Sequence, residues 1–233
     1  MKNILFLDIE TVASNSDYNN LDERLKYLWK EKASRINNEE GSDPEELFKQ
    51  RAGIFAEFGK IVVIAVGSIR TDKNGPQLRV KALSSNNEHQ LLSDFKNLLE
   101  KFNQDQLLLC AHNGQEFDFP FLCRRMLING ISLPQVLDIS GKKPWQVPHL
   151  DTLQLWKFGD FKNYTSLDLL AAVFGIDSSK NQIDGSMVNE VYYKEGDLDK
   201  ITEYCKQDVV VLAQVYRKIK GLPLVKKEQI AFV

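Results

Sequence analysis

Asn3-Ile4-Leu5-Phe6-Leu7-Asp8-Ile9-Glu10-Thr11 is an almost unbroken apolar run that meets two carboxylates. Residues 3–9 suit a strand buried on both faces. Asp8 and Glu10 are two apart, so they project from the same side of that strand. Like charges at this separation raise each other's pKa and resist burial. A divalent cation removes the conflict, because hard oxygen ligands suit Mg²⁺ or Mn²⁺. For Asp-x-Glu taken alone, two solvated acids just past the strand's end is an equally good reading.

Outward from this strand, Ile61-Val62-Val63-Ile64-Ala65-Val66 reads as a second buried strand. Asn74-Gly75-Pro76 marks a turn, and the alternation from Leu78 to Leu83 a third strand. Leu91, Leu92, Phe95, Leu98, Leu99 and Phe102 fall on one stripe and predict an amphipathic helix from Glu88 to Phe102. Leu107 to Ala111 is a further buried strand, and a helix runs from about Asp118 to Leu127, ended by Asn129-Gly130. Residues 131–149, with three prolines, are expected to be mostly loop. Leu167 to Phe174 is a short helix stopped by Gly175, and Leu198 to Ile219 a long last one. These elements predict one α/β domain over residues 1–233, a mixed sheet flanked by helices. Residues 13–58 form a mostly helical insertion, in which Leu21, Leu25, Leu28 and Trp29 have helical spacing.

Composition excludes several classes. No apolar run approaches the roughly 20 residues that span a bilayer, and the first residues do not resemble a signal peptide, so a cytoplasmic protein is expected. Three cysteines without metal-ligand spacing predict reduced core residues rather than a disulfide framework or zinc site. A net charge of −2 argues against a non-specific basic coat for nucleic acid. It leaves room for metal ions and local cations around an acidic cluster.

Two more segments carry acids. Asp118 precedes Phe119-Pro120-Phe121, where Asp is a favoured N-cap and Pro suits the first turn; a cap, a ligand, or both are open. Asn113, just after a strand, reads either as an Asx turn or as a hydrogen-bonding partner for a sugar or base edge. Tyr204 and Asp208 are four apart on a helix and so meet on one face. They make either an amphipathic boundary pair or a metal ligand beside a phenol that positions water. A phenol with an ordinary pKa of about 10 is a poor general base, so a metal would have to generate the nucleophile.

Asp8-Ile9-Glu10, Asn113-x-x-x-Phe117-Asp118 and Tyr204-x-x-x-Asp208, in this order, resemble the three motifs of the DEDD exonucleases, tyrosine subtype. They are most similar to the proofreading domain of family B DNA polymerases and its stand-alone predicted relatives. Ala56-Glu57-Phe58-Gly59-Lys60-Ile61-Val62 and Ile183-Asp184-Gly185-Ser186-Met187-Val188 extend the likeness over nearly the whole chain, least securely over residues 13–50. The neighbouring subtype has a His five residues before the last Asp, where this chain has Glu203.

The resemblance implies an RNase H-like fold and hydrolysis of nucleic acid from the 3′ end to nucleoside 5′-monophosphates, with two divalent ions, Mg²⁺ or Mn²⁺. Carried over by position, Asp8 would touch both ions, Glu10 and Asp208 the one that activates water, and Asp118 the other. Tyr204 would orient the attacking water; Asn113 and Phe117 would meet the substrate. The expected partner is a single-stranded 3′ end, DNA favoured over RNA. The chain is too short to hold polymerase palm and fingers too, so it would serve a polymerase or repair enzyme in trans or trim free ends.

The rivals are an RNA-trimming enzyme and a non-catalytic nucleic-acid scaffold on the same fold. A haloacid-dehalogenase phosphatase would use a second Asp at Glu10 and leaves the later motifs unexplained. His112 reads as a strand-end histidine, His89 and His149 lack evident partners, and Phe119 and Phe121 read as core. Lys142, Lys143 and Lys162 lie in loop-like stretches and read as solvated, although phosphates are within their chemistry.

Overall fold

The computed structural model describes residues 3–36, 43–160, 164–178 and 183–233. Its strands are β1 (Asn3–Ala13), β2 (Gly59–Asp72), β3 (Gly75–Ser84), β4 (Leu107–Ala111), β5 (Leu150–Asp151) and β6 (Ile230–Phe232). They form one mixed sheet in the order β5-β4-β1-β2-β3-β6. β1 runs antiparallel to β2 and β2 to β3, while β4 is parallel to β1, β5 to β4 and β6 to β3. This is an α/β fold of RNase H-like form, as expected.

Strand alternation sorts the core into two layers. Leu5, Leu7 and Ile9 face one side, where α3 (Glu88–Leu99) and α4 (Asp118–Ile128) bury Leu91, Leu92, Phe95, Phe119, Leu122 and Met126. Phe6 and Val12 face the other side, against Ile201, Val209 and Leu212 of the long helix α8, Leu198–Ile219. Asp8 and Glu10 lie between Phe6 and Val12 in this period, so they face α8.

Between β1 and β2, α1 (Glu23–Ile36) and α2 (Pro44–Arg51) enclose a small core around Trp29 and Phe48, both fully buried. Trp29 Nε1 donates to Pro44 O at 2.7 Å. Leu25, Leu28 and Trp29 sit on α1; Leu21 precedes it and Leu28 is largely exposed.

Residues 131–149 carry only two short 3-10 turns. α5 (Thr152–Lys157) and α6 (Leu167–Phe174) follow β5. A three-residue α7 (Val188–Glu190) then runs into a π-helical turn, Val191–Glu195, ahead of α8. β5, α5, α7 and β6 were not expected from the sequence. All three cysteines are free, Cys110 and Cys205 within the core.

A buried polar network seats α4. Arg125 Nε donates to Glu88 Oε1 at 2.9 Å and Nη1 to Ala56 O at 2.8 Å. Glu88 also accepts from Ile61 N at 2.8 Å and Asn129 Nδ2 at 3.0 Å. Helices α3 and α4 and the start of β2 are thereby held in one register.

Candidate active site

β4 pairs with β1 only as far as Phe6↔Cys110, while β2 accompanies β1 to Ala13. Beyond Phe6 the sheet therefore opens on its β4 side, where α/β folds place ligands. Asp8, Glu10 and the start of α4 lie at this opening. A bulge between Glu10 and Thr11 shifts the β1–β2 register directly after the second acid.

A cavity of about 180 Å³ enters here, lined by Asp8, Tyr204, Asp208, His112, Tyr164 and Ser166 among others. Glu10 and Asp118 stand behind that lining, 7% and 4% exposed. Tyr204 and Asp208, one turn apart on α8, are hydrogen-bonded to each other. Cys205 Sγ donates to Asp8 Oδ2 at 3.2 Å. Glu203 is exposed and pairs with Lys206 and Gln207, away from the cleft.

Asp118 is not a cap. Phe117 occupies the N-cap position with no side-chain hydrogen bond, and the Asp118 carboxylate accepts from its own N–H and from that of Ile9. Nor does Asn113 make an Asx turn: φ is +61°, and its buried Oδ1 has no partner among the described residues. The turn is tight because Gly114 lies against Ala111 and Phe119; a Cβ there would come within 2.3 Å of Ala111 Cβ. Phe117 is half-buried against Phe121, ring centroids 5.3 Å apart. Neither Asn113 nor Phe117 lines the 180 Å³ cavity; both lie on the turn that leads to Asp118.

The residue that sequence reading missed is Asp151, buried at the end of β5. Its Oδ1 accepts from Asn113 N and Leu153 N, both at 2.9 Å, and its Oδ2 from Gln115 N at 3.1 Å. It caps α5 and ties it to the Asn113 turn. A capping signal before Leu153 was available in the sequence; the long-range half was not.

His112 is no base. Its Nε2–H donates to Thr165 O at 2.9 Å, its Nδ1 meets Thr152 Oγ1 at 2.9 Å, and burial lowers its pKa. His149 has partners after all: Val136 O accepts from Nε2 at 2.8 Å and Leu109 N donates to Nδ1 at 3.3 Å. Burial brings its pKa down to about 4. Lys162 lies outside the described residues.

The electrostatics state what is missing from a balanced site. Burial, then the charges of Asp208 and Asp118, push the Asp8 carboxyl well above its ordinary range. Burial, then Asp8, Asp208 and Asp118, do the same to Glu10. Asp118 is raised to about 7, mainly by burial. The charges weighing most on these acids are other acids, a donor set that suits divalent metal ions. Asp8, Glu10 and Cys205 place ligand atoms within 4.8 Å of one another. Burial and the nearby carboxylates push the Tyr204 phenol far up, so it stays protonated.

A carboxyl whose folded pKa lies above its unfolded value stabilises fully below the unfolded value and loses that contribution as pH rises through the folded one. For Asp118 the window runs from about 4 to about 7. Asp118→Asn should therefore raise thermal stability in EDTA, by up to about 4 kcal/mol. The gain should be largest at pH 8 and shrink as pH falls towards 4. An Asn variant no more stable at pH 8 would contradict this electrostatic picture.

A structure of the family B DNA polymerase from the hyperthermophilic archaeon Pyrobaculum calidifontis is similar in fold, with a TM-score of 0.55 over 94% of this chain at 16% identity. The chain spans 24% of that polymerase's length. No curated protein matches the chain. Over residues 54–223 it matches the family of predicted 3′–5′ exonucleases related to the exonuclease domain of PolB, and it belongs to that family. The matched span holds Asp118, Tyr204 and Asp208. Asp8 and Glu10 precede it and join the site through β1.

Proposed function

We propose that this chain, as a single domain with an inserted segment at residues 13–58, is a metal-dependent 3′–5′ exonuclease acting on single-stranded DNA ends. The observation that carries the reading is the convergence of Asp8, Glu10, Asp118 and Asp208, from two strand positions and two helices, into one cluster of mutually repelling carboxylates. Asp8, Glu10, Asp118 and Asp208 would hold two divalent ions, Mg²⁺ or Mn²⁺. When bound, such ions offset this charge, acidify a water and stabilise the attacking and leaving oxygens of an in-line displacement.

The chain's own residues supply the positioning. Tyr204, hydrogen-bonded to Asp208 and held protonated, orients the attacking water rather than deprotonating it. Asn113 and Phe117, on the turn that leads to Asp118, would meet the terminal nucleotide. Water attacks the last phosphorus, the P–O3′ bond breaks, and a nucleoside 5′-monophosphate leaves while the shortened strand keeps a 3′-hydroxyl. Its partner in this reading is a polymerase or repair enzyme that it serves in trans.

Matched single-stranded DNA and RNA test substrate class: DNA should be trimmed faster, and equal rates would remove the preference for DNA. Tyr204→Phe should lower kcat by about ten- to a hundredfold, the scale of one hydrogen bond to a charged group. A loss as deep as that of Asp208→Ala would give the phenol a larger role.

A further inference from the structure

The turn that bears Asn113 has an outer side. Gln115 and Glu116 form one wall of a separate cavity of about 360 Å³, faced by Gln154 and Lys157 and rimmed by Lys142 and Pro144. Its two walls do not float independently. Asp151 accepts from Gln115 N on one side and, at 2.9 and 3.4 Å, from Leu153 N and Gln154 N of α5 on the other. Gln115 Nε2 adds a bond to His149 O at 3.4 Å. The cavity and the catalytic turn are thus built on the same buried carboxylate.

On either side of Pro144, a lining residue, the chain carries a cation and a flat apolar face. Trp145 is 78% exposed, and Lys143 Nζ lies 5.2 Å from its ring centroid. Among the described residues, Lys142, Lys143 and Lys157 have no carboxylate within ion-pair distance, whereas seven lysines elsewhere do. Glu116 is the acid in the lining, so two ammonium groups, Lys142 and Lys157, stand against one carboxylate there, with Lys143 next along the chain. Unpaired cations beside an exposed indole are complementary to a polyanion whose units carry aromatic faces. The volume is that of a small-ligand pocket, enough for one nucleotide.

We propose that this cavity is an upstream nucleotide subsite on the path of the substrate strand. Lys142 and Lys157 meet its phosphates and a base stacks on Trp145, holding the strand while its 3′ end enters the acid cleft. The subsite rests on the exonuclease reading of that cleft. It makes grip depend on strand length: a ligand that fills only the acid cleft does not use it.

The test compares the p-nitrophenyl ester of thymidine 5′-monophosphate, which reaches only the cleft, with a single-stranded oligothymidylate. In Lys142→Glu/Lys157→Glu, ester hydrolysis should equal wild type, which also reports an intact fold. KM for the oligothymidylate should rise about tenfold or more, and the slope of log affinity against log salt should fall by about 1.4, two single-strand phosphate contacts. Trp145→Ala should weaken oligothymidylate binding about tenfold with the slope unchanged. Wild-type KM and slope in the charge-reversal variant would overturn the subsite while leaving the exonuclease reading intact. Equal losses on ester and strand would also overturn it, as damage to the cleft. A wild-type protein that hydrolyses neither substrate with Mg²⁺ or Mn²⁺ would remove the exonuclease reading, and the subsite with it.

Discussion

Asp208→Ala should reduce 3′-end cleavage by at least about two to three orders of magnitude, the scale lost when a preorganised charge-stabilising group is removed. The same substitution should not weaken the fold. After burial, Asp208 is the largest influence raising the Asp8 carboxyl, and it raises Glu10 and the Tyr204 phenol too. Removing it relieves repulsion among acids that gain nothing from one another without a cation. Melting in EDTA at pH 8 should therefore change little, the relieved repulsion offsetting the lost Tyr204 hydrogen bond, while activity with Mg²⁺ or Mn²⁺ is lost. A folded variant with near-normal activity would remove Asp208 from the site. One that is inactive because it melts far below wild type would make the residue structural instead.

Arg125→Ala should destabilise the protein by about 3–5 kcal/mol, the cost of leaving one partner of a buried ion pair alone. Arg125 and Glu88 are both below a tenth exposed, and the guanidinium also donates to Ala56 O. Truncation leaves the Glu88 carboxylate with only Ile61 N–H and the Asn129 amide. A paired replacement by apolar residues, Glu88→Leu with Arg125→Met, should cost less than Arg125→Ala alone. Urea denaturation measures both. A single variant within about 1 kcal/mol of wild type would mean that solvent reaches the pair. Because Arg125 sits on the helix that begins at Asp118, part of this loss should appear as weaker metal-dependent activity.

What was legible in the sequence was whatever local pattern determines. Leu107–Ala111, Leu167–Phe174 and Leu198–Ile219 have the bounds expected, since apolar runs, a helical stripe and the stop at Gly175 are short-range signals. β1 continues to Ala13 although its apolar run ends at Ile9, because pairing with β2 carries the strand through the two acids. That Asp8 and Glu10 share a face follows from period two alone.

What local pattern misses or leaves open shares one cause, a distant partner. β5 and β6 have two and three residues and exist because β4 and β3 offer edges. For Asp118 the sequence leaves cap and ligand open; the fold removes the cap, because the carboxylate accepts from its own N–H and from Ile9 N–H, which β4 does not reach. For Asn113 the sequence leaves an Asx turn and a substrate contact open; the Asx turn falls away, and Asp151, 38 residues away, holds the backbone N–H. The lysines at 142 and 143 read as solvated surface and are exposed; only the fold sets Lys142 at a cavity beside the Asn113 turn.

The central claim is that these carboxylates cleave nucleic acid from the 3′ end with divalent metal. A time course on 5′-labelled single-stranded DNA, with Mn²⁺ or with EDTA and with Asp8→Ala alongside, tests it most directly. The account predicts a ladder that shortens one nucleotide at a time in Mn²⁺, releases 5′-monophosphates, and is absent in EDTA and in the variant. Intact label after prolonged incubation of folded wild-type protein with metal, or the same ladder from Asp8→Ala, would contradict it.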